Sequence, residues 1–365
     1  MRAWVDIEMD NLLFNLKKVK AKVPNAEIMG VVKADAYSLG SLEIAKELVN
    51  NGVTILAVAS LDEAMELRNA GITQEILVLG ILLDEEIKQA AQNDIQITVG
   101  NFKQIEYIEK NNIGIGIHIK IDTGMGRLGF TPEKGEEVVK YCLNKNLHIM
   151  GIYSHLSDAD EFNDEADRHT REQISKFEKF DKYKDKVKYL HILNSGGILR
   201  FNDGYVGNLV RPGICMYGML GYERVQELKR VFSVKTKVLS IKTAGEDTRI
   251  SYGRKGIIKK GETYATIGMG YADGLKKTLS HKSYVLIAEE KCPIIGEICM
   301  DMCMVKIPNT LKDKISLGDE VVVLRDDIIE DMEIEHRCAC DILTGIGKRI
   351  YRVYKRNGQP YLINR

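Results

Sequence analysis

The sequence lacks the features that direct a chain to a nucleic acid, a membrane or the cell exterior. Its 52 Lys+Arg are matched by 52 Asp+Glu, giving a formal net charge of +0, so the excess of basic residues typical of polyanion binders is missing. No apolar run approaches the ~20 residues that span a bilayer, and the N-terminus has no secretory leader pattern. We therefore expect a cytoplasmic globular protein that contacts neither nucleic acid nor membrane.

Cysteine and proline are also scarce. The 365 residues include 7 Cys and 6 Pro, and an odd number of cysteines in a long chain indicates reduced thiols rather than a disulfide framework. The pairs Cys299/Cys303 and Cys338/Cys340 fit no zinc-ligand spacing, so we expect no metal site. The length predicts two domains, or one large α/β unit with a smaller one.

Short apolar runs alternate with amphipathic helical patterns through residues 1–220. Runs that are apolar on both faces are typical of parallel strands covered by helices. Eight of them predict a (β/α)8 TIM-like barrel, with an open doubly wound sheet as the alternative, and both folds bind ligands at the carboxyl ends of the strands. The runs are Ile28–Val32, Thr54–Val58, Ile76–Leu79, Ile95–Val99, Ile115–Ile121, Leu147–Tyr153, Val187–Leu193 and Gly207–Arg211.

From Phe232 onward the pattern changes to short β-rich segments separated by turns. The sequence thus predicts an α/β barrel domain at residues 1–230 and a C-terminal, mostly-β domain at residues 231–365, with a boundary in the charged stretch Glu223–Arg230. The predicted strands of the second domain are Val234–Ile241, Thr263–Gly268, Tyr284–Ile287, Val305–Ile307 and Glu320–Leu324.

Reactive side chains follow the predicted barrel strands. Lys33 comes directly after the first strand, where partial desolvation would lower its pKa and favour Schiff-base chemistry with an aldehyde. The alternative is a lysine whose ammonium extends into solvent. Tyr37 follows four residues later, within reach of the same ligand.

The fifth strand alternates strictly between apolar and polar residues. His118, Lys120 and Asp122 share one face, and a glycine turn after them presents Arg127, whose planar guanidinium suits a carboxylate. Two neighbouring cations imply an anion between them, which is a substrate, a chloride or a carbamate formed on Lys120.

Two later strand ends offer backbone amides to a phosphate. Ser195 and the amides around Gly196 and Gly213 follow the seventh and eighth strands, the usual phosphate corner of such barrels. The alternative for Ser195 is a plain helix N-cap. His155 lacks a second histidine at ligand spacing, so a hydrogen-bonded site histidine or an ordinary loop residue is favoured over a metal ligand.

Taken together, these segments resemble the alanine racemases, pyridoxal phosphate (PLP) enzymes built from an eight-stranded barrel and a β-domain. The resemblance covers essentially the whole chain, in order. The matching strings are VVKADAYSLG at 31–40, IKIDTGMGRLGF at 119–130, YSHLSDAD at 153–160, HILNSGG at 191–197, VRPGICMYG at 210–218, SYG at 251–253, GYADG at 270–274 and ICMD at 298–301.

The resemblance implies a two-base isomerase. Lys33 would form the Schiff base with the cofactor and act as the base on one face of the substrate, while Tyr252, contributed by the partner subunit of a homodimer, would be the base on the opposite face. Arg211 would hydrogen-bond the pyridine nitrogen of PLP and weaken it as an electron sink. His155 would link Arg211 to the tyrosine.

The resemblance assigns the remaining positions to binding. Arg127 would contact the substrate carboxylate and the cofactor hydroxyl, held by Lys120, which many members of the family carry as a carbamate. Tyr37, Asn194, Ser195, Gly213 and Ile214 match the phosphate cradle. Tyr271, Met300 and Asp301 match the entrance and the partner-side substrate pocket.

Some positions depart from the family pattern. Asp35 stands where many members carry Asn, Glu297 where Arg is frequent, and Lys348 where some members place a tyrosine that narrows the substrate pocket. We expect a racemase that interconverts L- and D-alanine and supplies D-alanine for peptidoglycan. The first alternative is a serine or broad-specificity racemase, either as a full protein or as the soluble domain of a longer one. The others are a related PLP decarboxylase and a non-catalytic PLP-binding barrel, which usually lacks the β-domain.

Overall fold

The computed structural model describes residues 1–205, 207–221, 223–324 and 329–364. The chain divides into a barrel unit, Leu13–Gly221, and a β unit, Met1–Leu12 with Tyr222–Arg365. This division differs from the predicted domains 1–230 and 231–365, because the first strand, β1 (Ala3–Glu8), belongs to the β unit. It pairs antiparallel with residues 232–236, a long-range contact that no local pattern reveals.

The barrel unit contains eight parallel strands. They are β2 (Glu27–Val31), β3 (Ile55–Val58), β4 (Glu75–Ile81), β5 (Gln96–Val99), β6 (Ile117–Lys120), β7 (Ile149–Tyr153), β8 (Tyr189–His191) and β9 (Leu209–Val210). Their order is β8-β7-β6-β5-β4-β3-β2-β9. The ring closes because the amides of Asn208 and Arg211 donate to the carbonyls of Leu190 and Leu193. The predicted barrel is confirmed.

Helices connect and cover these strands. They are α1 (Met9–Lys22), α2 (Lys33–Ser38), α3 (Ser41–Asn50), α4 (Leu61–Asn69), α5 (Asp84–Gln92), α6 (Phe102–Lys110), α7 (Pro132–Asn144), α8 (Asp164–Glu178) and α9 (Ser195–Arg200). Several begin at side-chain caps, as at Ser60, Asn101 and Thr131, each of which accepts a hydrogen bond from a first-turn amide. Such caps satisfy amides that have no partner inside the helix.

The barrel interior combines an apolar cluster with a polar layer. Met29, Val31, Ile55, Ala57, Leu77, Tyr189 and Leu209 pack together, and burial of each large side chain contributes about 1.5–3 kcal/mol. The polar layer contains Thr98, His118 and His191, all fully buried. Buried polar groups of this kind need hydrogen-bond partners inside the barrel.

The β unit is mostly strands, as predicted. The short strand β10 (Met219–Leu220) is the last strand of the barrel unit, and β11 (Glu223–Arg224) is the first strand after it. The later strands are β12 (Phe232–Thr243), β13 (Thr248–Ile250), β14 (Gly256–Ile258), β15 (Thr263–Ile267), β16 (Tyr284–Ile287), β17 (Glu290–Ile295), β18 (Cys303–Ile307), β19 (Glu320–Leu324), β20 (Tyr351–Arg356) and β21 (Gln359–Asn364). Strands β12, β15, β18, β17, β16 and β19 form a ring, since β15 pairs with both β12 and β18. Strands β1, β20 and β21 extend the sheet from β12.

Two helices of the β unit lie outside the predicted pattern, α10 (Ile329–Glu335) and α11 (Ala339–Thr344). Within the described ranges, every helix is too short or too polar to cross a bilayer. None of the seven cysteines takes part in a disulfide bond.

Candidate active site

Lys33 stands at the start of a left-handed helical turn at the carboxyl end of β2. Residues 34–37 have φ between 49° and 58°, a conformation that costs a non-glycine residue ~1–2 kcal/mol. The turn is held by hydrogen bonds from the Ala34 amide to Glu63 (2.7 Å) and from the Ser41 amide to Asp35 (2.8 Å). Strain of this kind persists where the surrounding structure fixes a functional side chain.

Arg211, at the end of β9, is a buried cation with neutral partners. Its guanidinium, in a residue only 3% exposed, donates to the carbonyls of Ser154 (2.6 Å) and Ile192 (3.1 Å). It also contacts Nδ1 of His191 (2.8 Å) and Nδ1 of His155 (3.3 Å). Burial lowers the pKa of Arg211 to about 10. Among the described residues no carboxylate pairs with it, so an anionic or electron-rich ligand is needed to offset its charge.

Lys120 and Arg127 lie at the end of β6 and on the turn that follows it. Nζ of Lys120 donates to the carbonyl of Ile121 (2.9 Å) and lies 5.1 Å from the ring centroid of Tyr153. Burial, and then the charge of Arg211, lowers the pKa of Lys120 to about 7. Arg127 is exposed on the turn. The site therefore holds a buried amine that is half neutral near pH 7.

The residues of the predicted phosphate corner lie at the ends of β8 and β9, and the helix cap there differs from the alternative given for Ser195. The N-cap of α9 is Asn194, whose Oδ1 accepts from the Gly197 amide (3.0 Å), and not Ser195. Oγ of Ser195 accepts from the amides of Gly213 (3.0 Å) and Cys215 (3.3 Å). The Gly213 amide is thus already engaged by the Ser195 hydroxyl, which also hydrogen-bonds the Cys215 side chain.

Gly213 also leaves room beside a hydroxyl. A Cβ at this position would lie 2.4 Å from the hydroxyl oxygen of Tyr37. Ile214, the next residue, is buried and begins a 3-10 turn that runs to Tyr217. Hydroxyls and a side-chain-free backbone at the ends of two adjacent strands suit a phosphate group.

Tyr252 belongs to the β unit, on the turn between β13 and β14. Its side chain is 70% exposed, and the turn is anchored by a hydrogen bond from Oγ of Ser251 to the carbonyl of Glu297 (2.7 Å). Glu297 pairs with Lys255 (2.7 Å) and Lys277 (3.6 Å). The negative charge at this departure from the family pattern is therefore balanced locally.

The other predicted residues of the β unit come together around a buried carboxylate. The Tyr271 amide donates to the carbonyl of Cys299 (3.0 Å), which places the tyrosine beside Met300 and Asp301. Lys348 is exposed on a loop that packs against this turn, since the Gly347 amide donates to the carbonyl of Asp273 (2.9 Å).

Sequence patterns did not indicate the carboxylate at the centre of this group. Asp273 is fully buried and accepts from Arg2 (2.7 Å) and Arg349 (2.7 Å). Arg349 also pairs with Asp301 (2.7 Å), and Arg2 donates to the Asp301 carbonyl (2.5 Å). Partners so far apart in sequence leave no local signal.

His118, which the alternation of β6 grouped with Lys120 on one face, hydrogen-bonds His191, and His191 in turn contacts Arg211. No role in the site was predicted for His191. One signal was available, since Tyr189 and His191 sit two residues apart and therefore face the same side of β8. No group of three or more His, Cys, Asp or Glu side chains is placed to hold a metal ion anywhere in the described part of the chain.

Known proteins share both units. The family model for the alanine racemase N-terminal domain matches residues 7–221, and that for the alanine racemase C-terminal domain matches residues 231–354. The chain is 44% identical to the alanine racemase of Fusobacterium nucleatum over 97% of this chain and 99% of that protein. It is 37% identical to the alanine racemase of Clostridium kluyveri, with 98% and 95% covered.

Solved structures agree. The alanine racemase of Clostridium difficile superposes with a TM-score of 0.89 at 32% identity, covering 100% of this chain and 98% of that chain. The alanine racemase of Bartonella henselae, which has covalently bound pyridoxal phosphate, gives a TM-score of 0.86 at 28% identity, covering 97% and 100%. With matches over both units and nearly the full length, the chain belongs to the alanine racemase family.

Proposed function

We propose that this chain interconverts L- and D-alanine with PLP as its cofactor and with Lys33 and Tyr252 as the two bases. The observation that carries the proposal is the unneutralised cation Arg211, buried in the same barrel interior as Lys120 and at the same strand ends as Lys33. Cations without carboxylate partners suit an anionic cofactor and an amino-acid carboxylate.

The residues at the strand ends fit PLP. The phosphate would be held by the hydroxyls of Ser195 and Tyr37, together with Asn194, Gly213 and Ile214. Gly213 matters here because any side chain at this position would fill the space beside the Tyr37 hydroxyl. Arg211 would face the pyridine nitrogen, and His155 supports its guanidinium. When bound, PLP supplies an electron sink that acidifies the α-hydrogen of an amino acid.

Racemisation needs two groups that exchange a proton on opposite faces of one carbon. Lys33 would hold or release the proton at Nζ, and Tyr252 at its hydroxyl oxygen. Tyr271, Met300 and Asp301 would form the substrate entrance, and Arg127 would orient the substrate carboxylate. The D-alanine produced in the cytoplasm would serve peptidoglycan synthesis.

We propose a homodimer in which Tyr252 completes the partner's site. Tyr252 is 70% exposed, and Ile257, Tyr271, Met300 and Met302 of the same unit are also exposed. Apolar and aromatic side chains exposed together are typical of a surface that another subunit covers.

Lys120 would carry a carbamate. Its pKa of about 7 leaves a large neutral fraction at physiological pH, and the neutral amine is the form that attacks carbon dioxide. A carbamate between Lys120 and Arg127 would replace two repelling cations by an anion and a cation. Intact mass measured with and without bicarbonate tests this, and a mass that never includes the added carboxylate would exclude it.

A complementation experiment tests the bases and the dimer together. Lys33→Ala should lose the yellow absorbance of the bound cofactor and all racemisation, while Tyr252→Phe should exchange the α-hydrogen of one enantiomer far faster than that of the other. Each variant alone should be nearly inactive. Refolded together, they should recover about one quarter of wild-type activity, since half of the dimers would be mixed and each mixed dimer would contain one intact site.

Tyr361→Phe, which changes another exposed tyrosine of the β unit, is the matched control and should retain activity. Mixtures that recover no activity would contradict the shared site, and activity retained in Lys33→Ala would contradict the role of the lysine.

One position favours a second candidate, a serine or broad-specificity racemase. Lys348 carries a polar, exposed side chain where some family members have a tyrosine that narrows the pocket. Comparison of kcat/KM for alanine, serine and lysine decides between the two, and a value for serine above that for alanine would reverse our assignment.

A further inference from the structure

A line of hydrogen bonds runs from Arg211 through the barrel interior to the far side of the polar layer. Nη1 of Arg211 lies 2.8 Å from Nδ1 of His191, whose Nε2 lies 2.9 Å from Nδ1 of His118. Nε2 of His118 lies 2.8 Å from Oε1 of Gln96, and Nε2 of Gln96 lies 2.8 Å from Oε2 of Glu75. Glu75 in turn pairs with Lys188.

The arginine fixes the direction of every bond in this line. A guanidinium can only donate, so Nδ1 of His191 must accept and its Nε2 must carry the hydrogen. That hydrogen is donated to Nδ1 of His118, which therefore carries its own hydrogen on Nε2 and donates to Gln96. The Gln96 amide then donates to Glu75. Both imidazoles are consequently neutral, each with the hydrogen on Nε2.

Packing holds both imidazoles in place. The ring of His191 is stacked on that of Tyr153, with centroids 4.7 Å apart and planes at 3°, and the ring of His118 is stacked on that of Tyr189 at 6.0 Å and 18°. Gly151 is needed beside them, since a Cβ there would lie 2.5 Å from Nδ1 of His118.

Charge and burial keep the line in its neutral form. Burial, and then the charges of Arg211 and Lys188, lowers the pKa of His118 to about 3. Burial, Arg211, His118 and Lys120 lower the pKa of His191 well below its ordinary value. The only carboxylate on the line is that of Glu75, and His191, His118 and Gln96 lie between it and Arg211.

We propose that His191 and His118 are positioning residues that fix the orientation of the Arg211 guanidinium while leaving its charge unneutralised, so that the cofactor meets a fully charged donor. The inference deepens the proposed function, because it rests on Arg211 as the partner of the cofactor ring. A carboxylate in the place of His191 would give the same geometry and cancel the charge.

The order of hydrogens can be read without cofactor. With the seven histidines labelled with ¹⁵N in the full chain, His191 and His118 should both show the Nε2-protonated neutral tautomer from pH 6 to pH 8. The variants His191→Phe and His118→Phe identify the two resonances. An imidazolium at either position, or an Nδ1-protonated His191, would overturn the proposal whether or not the chain proves to be a racemase.

Variants test the positioning role through the cofactor. His191→Phe keeps an aromatic ring beside Tyr153 but removes the acceptor, and we expect PLP to bind at least about tenfold more weakly with a shifted absorbance maximum. Gln96→Leu breaks the line at its remote end and should change the same two properties in the same direction by less.

Thr98→Val is the matched control. Thr98 is fully buried in the same layer and bonds the hydroxyl of Tyr153 (2.8 Å), yet it lies off the line, so PLP affinity and absorbance should stay within about twofold of wild type. If His191→Phe binds PLP with wild-type affinity and absorbance, or if Thr98→Val changes both as much as His191→Phe does, the positioning role is wrong.

Discussion

Replacement of Lys120 by methionine should stabilise the protein without cofactor, and the gain should depend on pH. Lys120 is 4% exposed, and burial together with Arg211 lowers its pKa from 10.5 to about 7, with Asp122 opposing and Arg127 reinforcing the shift. In the unfolded chain the same amine keeps its ordinary pKa of about 10.4. The folded protein therefore gives up a proton that the unfolded chain retains.

The sign and size of this change in stability follow from the linkage between proton binding and folding. Between pH 7 and about 10.5 the unfolded state binds more protons than the folded state, so the contribution of Lys120 to stability rises with pH across that window. At pH 7 the difference in pKa corresponds to about 4 kcal/mol of destabilisation. Methionine removes this penalty and also loses the hydrogen bond to the Ile121 carbonyl, which contributes about 1 kcal/mol. The net gain is about 3 kcal/mol at pH 7 and near zero at pH 10.

Urea unfolding of wild type and Lys120→Met in buffer free of carbon dioxide measures this difference. Lys188→Met is the control of opposite sign. Burial lowers the pKa of Lys188, but the hydrogen bonds and charges of Glu75 and Tyr189 together raise it by more, so loss of this lysine should destabilise the protein. A Lys120→Met variant no more stable than wild type at pH 7, or a gain that grows with pH, would refute the reasoning. Bicarbonate should stabilise wild type alone if Lys120 forms a carbamate.

Three further predictions concern the backbone and a thiol. Ala34→Gly should raise the free energy of unfolding by about 0.5–1 kcal/mol. Glycine removes the cost of the left-handed conformation, and this gain exceeds the entropy that glycine adds to the unfolded chain. A lower melting temperature would contradict this prediction. Gly129→Ala should lower stability by roughly 1–3 kcal/mol, since its φ is +111° and the new Cβ would lie 2.7 Å from the Lys120 carbonyl; unchanged thermal unfolding would contradict it. A hydrogen bond from Cys340 lowers the pKa of Cys338 to about 6, so its alkylation rate should reach half its maximum near pH 6 and vanish in Cys338→Ser.

The barrel was predictable because its physics is local. Strands buried on both faces must be apolar along their whole length, and eight such runs were visible without any long-range information. The rule that ligands bind at the carboxyl ends of parallel strands then predicts that Lys33, Lys120 and Arg211 share one site. The alternation of β6 was equally informative, since it assigned His118 and Lys120 to the inner face, where both are buried.

The features that escaped prediction depend on distance or on unusual backbone. Strand β1 joins the β unit through partners more than 220 residues away, at 232–236. Asp273 binds an arginine 271 residues away at Arg2. The left-handed turn at 34–37 contains no glycine, the residue that usually announces such a conformation. In each case the sequence is compatible with the structure but does not distinguish it from ordinary alternatives.

The even balance of charge in the whole chain conceals a local imbalance that gives the site its chemistry. Arg211 and Lys120 are buried together, and among the described residues the nearest acceptors of the arginine are carbonyls and imidazoles. A buried cation without an anion costs several kcal/mol, and both the lowered pKa of Lys120 and that of Arg211 report this cost. A ligand that brings negative charge to the strand ends recovers part of it on binding. The same imbalance therefore favours binding of an anion at these strand ends, and a ligand that binds only the folded state stabilises it by a free energy that grows with the logarithm of its affinity.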